Sequence, residues 1–340
     1  MPRTLGAAIR DLDSPKTSVR VSALHDLGRL ARDADHRADA VEAMVRTLRA
    51  DADAVARAEA AVALADAEAT EAVPVLIEMA ADAHLRVRQM VLVALGELSG
   101  ASDSDALEVV YDALEQDEAA LRFQALIALY RVLGDEALER VVDCTRDVDD
   151  HVRYVALRIL EERWEETREA LTMPVAVRVR ALLRDDSAAV RLAAAILLGR
   201  GGDAIGAKEL VAAVNGRSGA FELEDELAAV ELVGQMRLAD ARGGLHRRAF
   251  GLFGGSNDAS TFQARVSLAQ LGDGRAVDAI VRGLSAWSRD TRTLAVAAAG
   301  RARLRVARPA ILAMRGDAAR ADPHAVEEAL ALIDGSRSSS

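Results

Sequence analysis

The chain has 340 residues, 51% hydrophobic but only 3% aromatic, with a formal net charge of −11. That acidity opposes duplex binding, since neutralising phosphates needs a basic footprint; the 41 arginines against two lysines, Lys16 and Lys208, are read as coding bias. One cysteine, Cys144, excludes an internal disulfide, and no run approaches the ~18 apolar residues of a membrane span. MPRTLGAAIRDLDS shows no leader pattern, so a soluble, cytoplasmic chain without membrane insertion is expected.

In chain order, helices are predicted over 3–12 and 17–31, with Pro15 in the turn between them. A second pair takes 38–49 and 55–65. Pro74 sits in the first turn of the next outer helix, and its inner partner carries LRVRQMVLVALG, 85–96. A fourth pair spans 105–115 and 119–133 and stops at Gly134. The fifth takes 136–144 and 151–162. A connection rich in Glu161, Glu162, Glu165, Glu166 and Glu169 follows it, expected as a solvated helix face. After Pro174 the pattern resumes, and Gly199, Gly201, Gly202 and Gly206 mark a loop after the sixth inner helix. Beyond 200 the pattern degrades. The expected domains are an array over 1–240, a glycine-rich insertion loop over 241–260 with Phe250 and Phe253, repeats and a terminal helix over 261–335, and a disordered tail over 336–340.

The pairs are copies of one unit. Arg20, Arg57, Arg88, Arg122, Arg153 and Arg191 align, followed in the same slot by Glu226, Ala264 and Arg292. The mean spacing, about 34 residues, lies in the range of helical repeat arrays. Small or apolar residues stand one before, three after and seven after the arginine, on one helix face.

Three stretches carry the pattern best: LRVRQMVLVALG, HVRYVALRIL and AVRLAAAILLG. They resemble HEAT repeats, in particular the short variety D-x-x-x-x-V-R-x-x-A-x-x-A-L-G of bilin lyase subunits. The resemblance implies an all-α, right-handed solenoid of about nine HEAT-like helix pairs, with each arginine on the inner, concave helix. It implies a non-enzymatic scaffold or adaptor binding a protein or peptide on that concave face. The alternative is a bilin lyase-type protein acting on a phycobiliprotein chromophore. A HEAT-like DNA glycosylase is opposed by the acidic first 240 residues.

An aspartate stands six residues before four of the arginines: Asp51–Arg57, Asp82–Arg88, Asp147–Arg153 and Asp185–Arg191. Asp at a helix start accepts from backbone amides, and each arginine can pair with an Asp of its own or of the neighbouring unit. These residues are expected to form a structural ladder. No His-Glu pair and no i, i+4 His pair suggests a metal site, and no motif suggests a catalytic residue or cofactor. Whether a small molecule binds is open at this stage.

Positions one and five after the arginine point away from the core slots. In units four to six they hold Phe123, Ile127, Tyr154, Arg158, Leu192 and Ile196. Exposed, the five apolar residues would floor a partner groove with Arg158 at its edge; the alternative is burial between neighbouring units. Charge is also uneven, −17 over 1–240 and +6 over 241–340.

Overall fold

A helix with small and apolar residues on one stripe buries that stripe against another helix, and here the pairing repeats along the chain. The computed structural model describes residues 4–217, 221–251 and 259–335. Among them there are twenty α-helices. Outer and inner helices alternate: α1 (Leu5–Asp11), α2 (Thr17–Leu30), α3 (Ala34–Ala50), α4 (Ala54–Asp66), α5 (Val73–Met79), α6 (Leu85–Leu98), α7 (Ser104–Leu114), α8 (Ala119–Leu133), α9 (Leu138–Cys144) and α10 (Asp150–Thr167). They continue with α11 (Met173–Ala181), α12 (Ala188–Arg200), α13 (Ala207–Val214), α14 (Leu223–Gln235), α15 (Arg242–Phe250), α16 (Ala259–Gln270), α17 (Gly274–Gly283), α18 (Arg289–Arg301), α19 (Arg308–Leu312) and α20 (Pro323–Asp334). The architecture is an all-α array of HEAT-like helix pairs.

The chain divides into two compact units, Met1–Glu166 and Thr167–Ser340. In the first, α2, α4, α6 and α8 stack in succession, each backed by its outer helix. In the second, α12, α14, α16, α18 and α20 do the same. Three features differ from the sequence expectation. The division falls at 166/167 and not at 240, because one buried cluster runs unbroken from Leu192 to Ala276. Within 241–260, residues 242–250 form α15, whose Leu245 and Ala249 are buried in that cluster; residues 252–258 lie outside the described residues, as does the 336–340 tail. Finally, the terminal helix α20 is the inner member of a tenth pair, packing Val326, Ala329, Leu330 and Ile333 into the last core.

The recurring Leu-Gly has a packing reason. Eight residues after the slots at Arg88 and Arg292, the next inner helix approaches closely. A Cβ on Gly96 would stand 2.8 Å from Ala128 Cα, and one on Gly300 2.6 Å from Ala329 Cα. Only glycine admits a neighbouring backbone at that distance.

Candidate functional site

The turn between outer and inner helix is where adjacent repeats are joined in the first unit. Arg20 Nε and Nη2 donate to the two carboxylate oxygens of Asp51, at 2.7 and 2.9 Å. Arg57 holds Asp82 in the same way, at 2.8 and 3.0 Å. Arg122 holds Asp147 at 2.8 and 2.7 Å. Each fork therefore reaches forward to the acid of the next repeat. The third nitrogen turns back into its own repeat. Nη1 of Arg20, Arg57 and Arg122 donates to the carbonyl six residues earlier, Ser14, Asp51 and Gln116. The aspartates are nodes as well: Asp51, Asp82 and Asp147 accept at Oδ1 from the amides of Asp53, His84 and Asp149. Asp53 caps α4 through Val55 N and accepts from Thr17 Oγ1.

These bonds set the acids' protonation. Arg57 holds the Asp82 carboxyl below the usual carboxylate range against the opposing push of burial. Burial pushes Asp147 up, but Arg122 and the Asp149 amide bring it below its ordinary value. The Thr17 hydroxyl and the Val55 amide lower Asp53.

Arg88 is held differently from Arg20, Arg57 and Arg122. Arg88 Nη2 donates to Glu118 at 3.0 Å, and its Nε is buried without a partner. Arg153 Nη1 donates to the carbonyls of Asp147 and Val148. In the second unit, Arg191 Nη1 donates to the carbonyls of Asp185 and Asp186, and its Nε reaches Glu209 at 3.4 Å. Asp185 accepts from the Ser187 amide. Arg292 bonds only carbonyls, those of Ala286, Trp287, Ala319 and Arg320.

The apolar strip does not hold together as one surface. Leu192 and Ile196 are 2% and 0% exposed, packed with Leu210, Ala228 and Val233 in the core of the second unit. They are core residues, not part of a groove floor, because α12 is covered on this side as well. Phe123, Ile127 and Tyr154 remain half-buried on α8 and α10 of the first unit. Val62 and Val93 occupy the corresponding half-buried positions on α4 and α6. Arg158 is not a free edge residue: its Nη1 donates to Glu161, which is only 4% exposed. Within the acidic run Glu161 alone is buried, while Glu162, Glu165, Glu166 and Glu169 are exposed as expected and α10 extends to Thr167.

Ion pairs cross between inner helices along the same face. His25 and Arg86 both meet Glu59, from the helices on either side, and Arg131 meets Glu97. Cys144 is half-buried, and burial pushes its thiol up to about 11, which leaves it protonated and unreactive near neutrality. Asp149, Asp150 and His151 lie together at the exposed start of α10, where Asp149 accepts from the amides of His151 and Val152.

Residues 41–114 match the family model described as HEAT repeats. That stretch runs from within α3 to the end of α7 and contains Arg57, Asp82 and Arg88. No curated protein matches the chain in sequence. Among solved structures, an engineered protein is similar at 18% identity, with 98% of this chain and 99% of that one covered and a TM-score of 0.46. The CpcE–CpcF complex of phycocyanin lyase from Nostoc is similar at 20% identity over 74% of this chain and 95% of that one, with a TM-score of 0.41. E. coli YibA is similar at 16% identity over 95% and 100%, with a TM-score of 0.45. At such identities and scores, none of these likenesses says what the chain does.

Two rungs escape a search for Asp six residues before Arg: Arg20 and Arg122, which have Ser14 and Gln116 there. The spacing marks the accepting repeat, while the donor lies one repeat earlier. Their signal was the aligned arginine slot itself. Among the described residues, no helix is long and apolar enough to cross a membrane.

Proposed function

We propose that the chain is a non-enzymatic scaffold that binds a protein partner along the inner helices of its first unit. A HEAT-like array offers long, regular faces suited to protein–protein interaction. The observation that carries the reading is the half-buried series Val62, Val93, Phe123, Ile127 and Tyr154. It runs over four successive inner helices and is accompanied by the cross-helix ion pairs of Glu59 and Glu97. Apolar and aromatic side chains that are partly open to solvent, set among charges, are the usual anchors of an interface. Arg158 supports the face by holding Glu161 and is not itself an anchor.

The test is a comparison of Ile127→Asp with wild type in quantitative capture from native lysate. A partner held by wild type and lost by the variant, with helical signal and melting temperature unchanged, supports the face. Equal capture by both proteins refutes it. Leu192→Asp serves as the contrast: an unpaired carboxylate placed in the second core should unfold that unit and not report on binding.

A further inference from the structure

One rung of the ladder is open. Arg57 and Arg122 each hold a carboxylate in the Nε–Nη2 fork. Arg88 occupies the slot between them, yet it makes a single hydrogen bond, to Glu118, and its Nε is buried with no partner. The cause lies in the following turn. Arg20, Arg57 and Arg122 find Asp51, Asp82 and Asp147, each six residues before the next arginine slot. The residue six before Arg122 is Gln116, whose amide donates instead to the Asp112 carbonyl at 3.4 Å.

Beside the open fork lies a cavity of about 460 Å³, lined by Arg88 and Gln116 and by the apolar Ile77, Leu92, Val109 and Leu121. Its size is that of a small-molecule site, for which roughly 300–1,000 Å³ is usual. We propose that this cavity binds a small monocarboxylic acid with an apolar body, its carboxylate completing the Arg88 fork and its body lying against the four aliphatic side chains.

A guanidinium's planar fork matches a carboxylate with two parallel hydrogen bonds, and the neighbouring rungs show that match with protein carboxylates. A single negative charge suits the site better than a dianion, because Asp112 also lines the cavity and Glu118 is close to Arg88. Reaching Nε requires Arg88 to turn toward the ladder geometry and release Glu118. That release costs little, since the Glu118 side chain is 42% exposed and exposed ion pairs contribute about 0–1 kcal/mol. The cavity is lined by neither Phe123, Ile127 nor Tyr154, so the proposal stands apart from the partner-binding face.

The experiment is calorimetric titration of the full chain with 4-phenylbutanoate and with its neutral counterpart, 4-phenylbutanol. Wild type should bind the acid at least about tenfold more tightly than the alcohol. Arg88→Met should remove that preference. Gln116→Asp should restore the missing acid, raise the melting temperature, and abolish acid binding by filling the fork from within the chain. The proposal is overturned if wild type does not bind the acid, or binds acid and alcohol within about twofold of each other. It is also overturned if Gln116→Asp binds the acid as well as wild type does. Because Gln116→Asp should be more stable than wild type, a failure of Arg88→Met to fold still leaves a decisive variant.

Discussion

The two units are built from the same helix pair but join their repeats differently. In the first, Arg20, Arg57 and Arg122 each fork onto the aspartate of the next turn. In the second, the aligned slots at 191, 226 and 292 are bonded differently. Arg191 reaches Glu209 at 3.4 Å, Glu226 accepts from Arg248 on an outer helix, and Arg292 holds carbonyls alone. Ala264 fills the slot on α16, whose Thr261–Leu268 stretch is entirely buried. That helix also carries Arg265, 8% exposed, over the rings of Phe250 and Phe262. What the units share is the close crossing of inner helices at Gly96 and Gly300. The close crossing at a glycine, and not the aspartate fork, is what recurs at these positions of both units. The ladder is an addition that fixes the register of turns where an aspartate is available.

The difference can be broken first at the rungs. Arg57→Ala or Arg122→Ala leaves Asp82 or Asp147 partly buried without its fork, and should lower the stability of the first unit by about 2–4 kcal/mol in urea melts. The shared element comes next. Gly96→Val in the first unit and Gly300→Val in the second each force a neighbouring backbone to move, and each should cost about 2 kcal/mol. A large cost in one unit and none in the other would show that the crossing is not common to both.

Acid separates the two kinds of turn by another route. Asp82 and Asp147 have lowered folded-state values, so their contribution is complete above the unfolded value of about 3.9. It drains away as pH falls through the lowered values. Hydrogen exchange on acidification should therefore show the α4–α10 turns of the first unit opening before the Arg292 turn, whose partners are carbonyls that do not titrate. The smallest effect is expected at Arg88. Its one bond is to an exposed glutamate, and Arg88→Ala should cost under about 1 kcal/mol, well below its two neighbours.

Much of the array was legible because the apolar slots repeat on one helix face, which only a helix periodicity explains. The tenth pair was not, because α20 has no arginine in the aligned slot and begins at Pro323. The direction of each rung was not legible either: an Asp six residues before an Arg has the same spacing whether the arginine bonds its own repeat or the previous one supplies the donor. Nor could slot positions separate Phe123 and Ile127 from Leu192 and Ile196. All four sit one or five residues after an arginine, and only the packing around α12 buries the second pair. Gln116 was visible as a departure from the aspartate pattern, but its consequence for Arg88 appears only once the rung is known to reach forward.

That forward reach is the central claim, and a pair of double-mutant cycles tests it most directly. One cycle combines Arg57→Ala with Asp82→Ala, across two repeats; the other combines Arg57→Ala with Asp51→Ala, within one. The geometry predicts a coupling of about 1–3 kcal/mol for Arg57 with Asp82, and under about 0.5 kcal/mol for Arg57 with Asp51, whose side chain belongs to Arg20. The reverse order, with strong coupling to Asp51 and none to Asp82, would contradict the account.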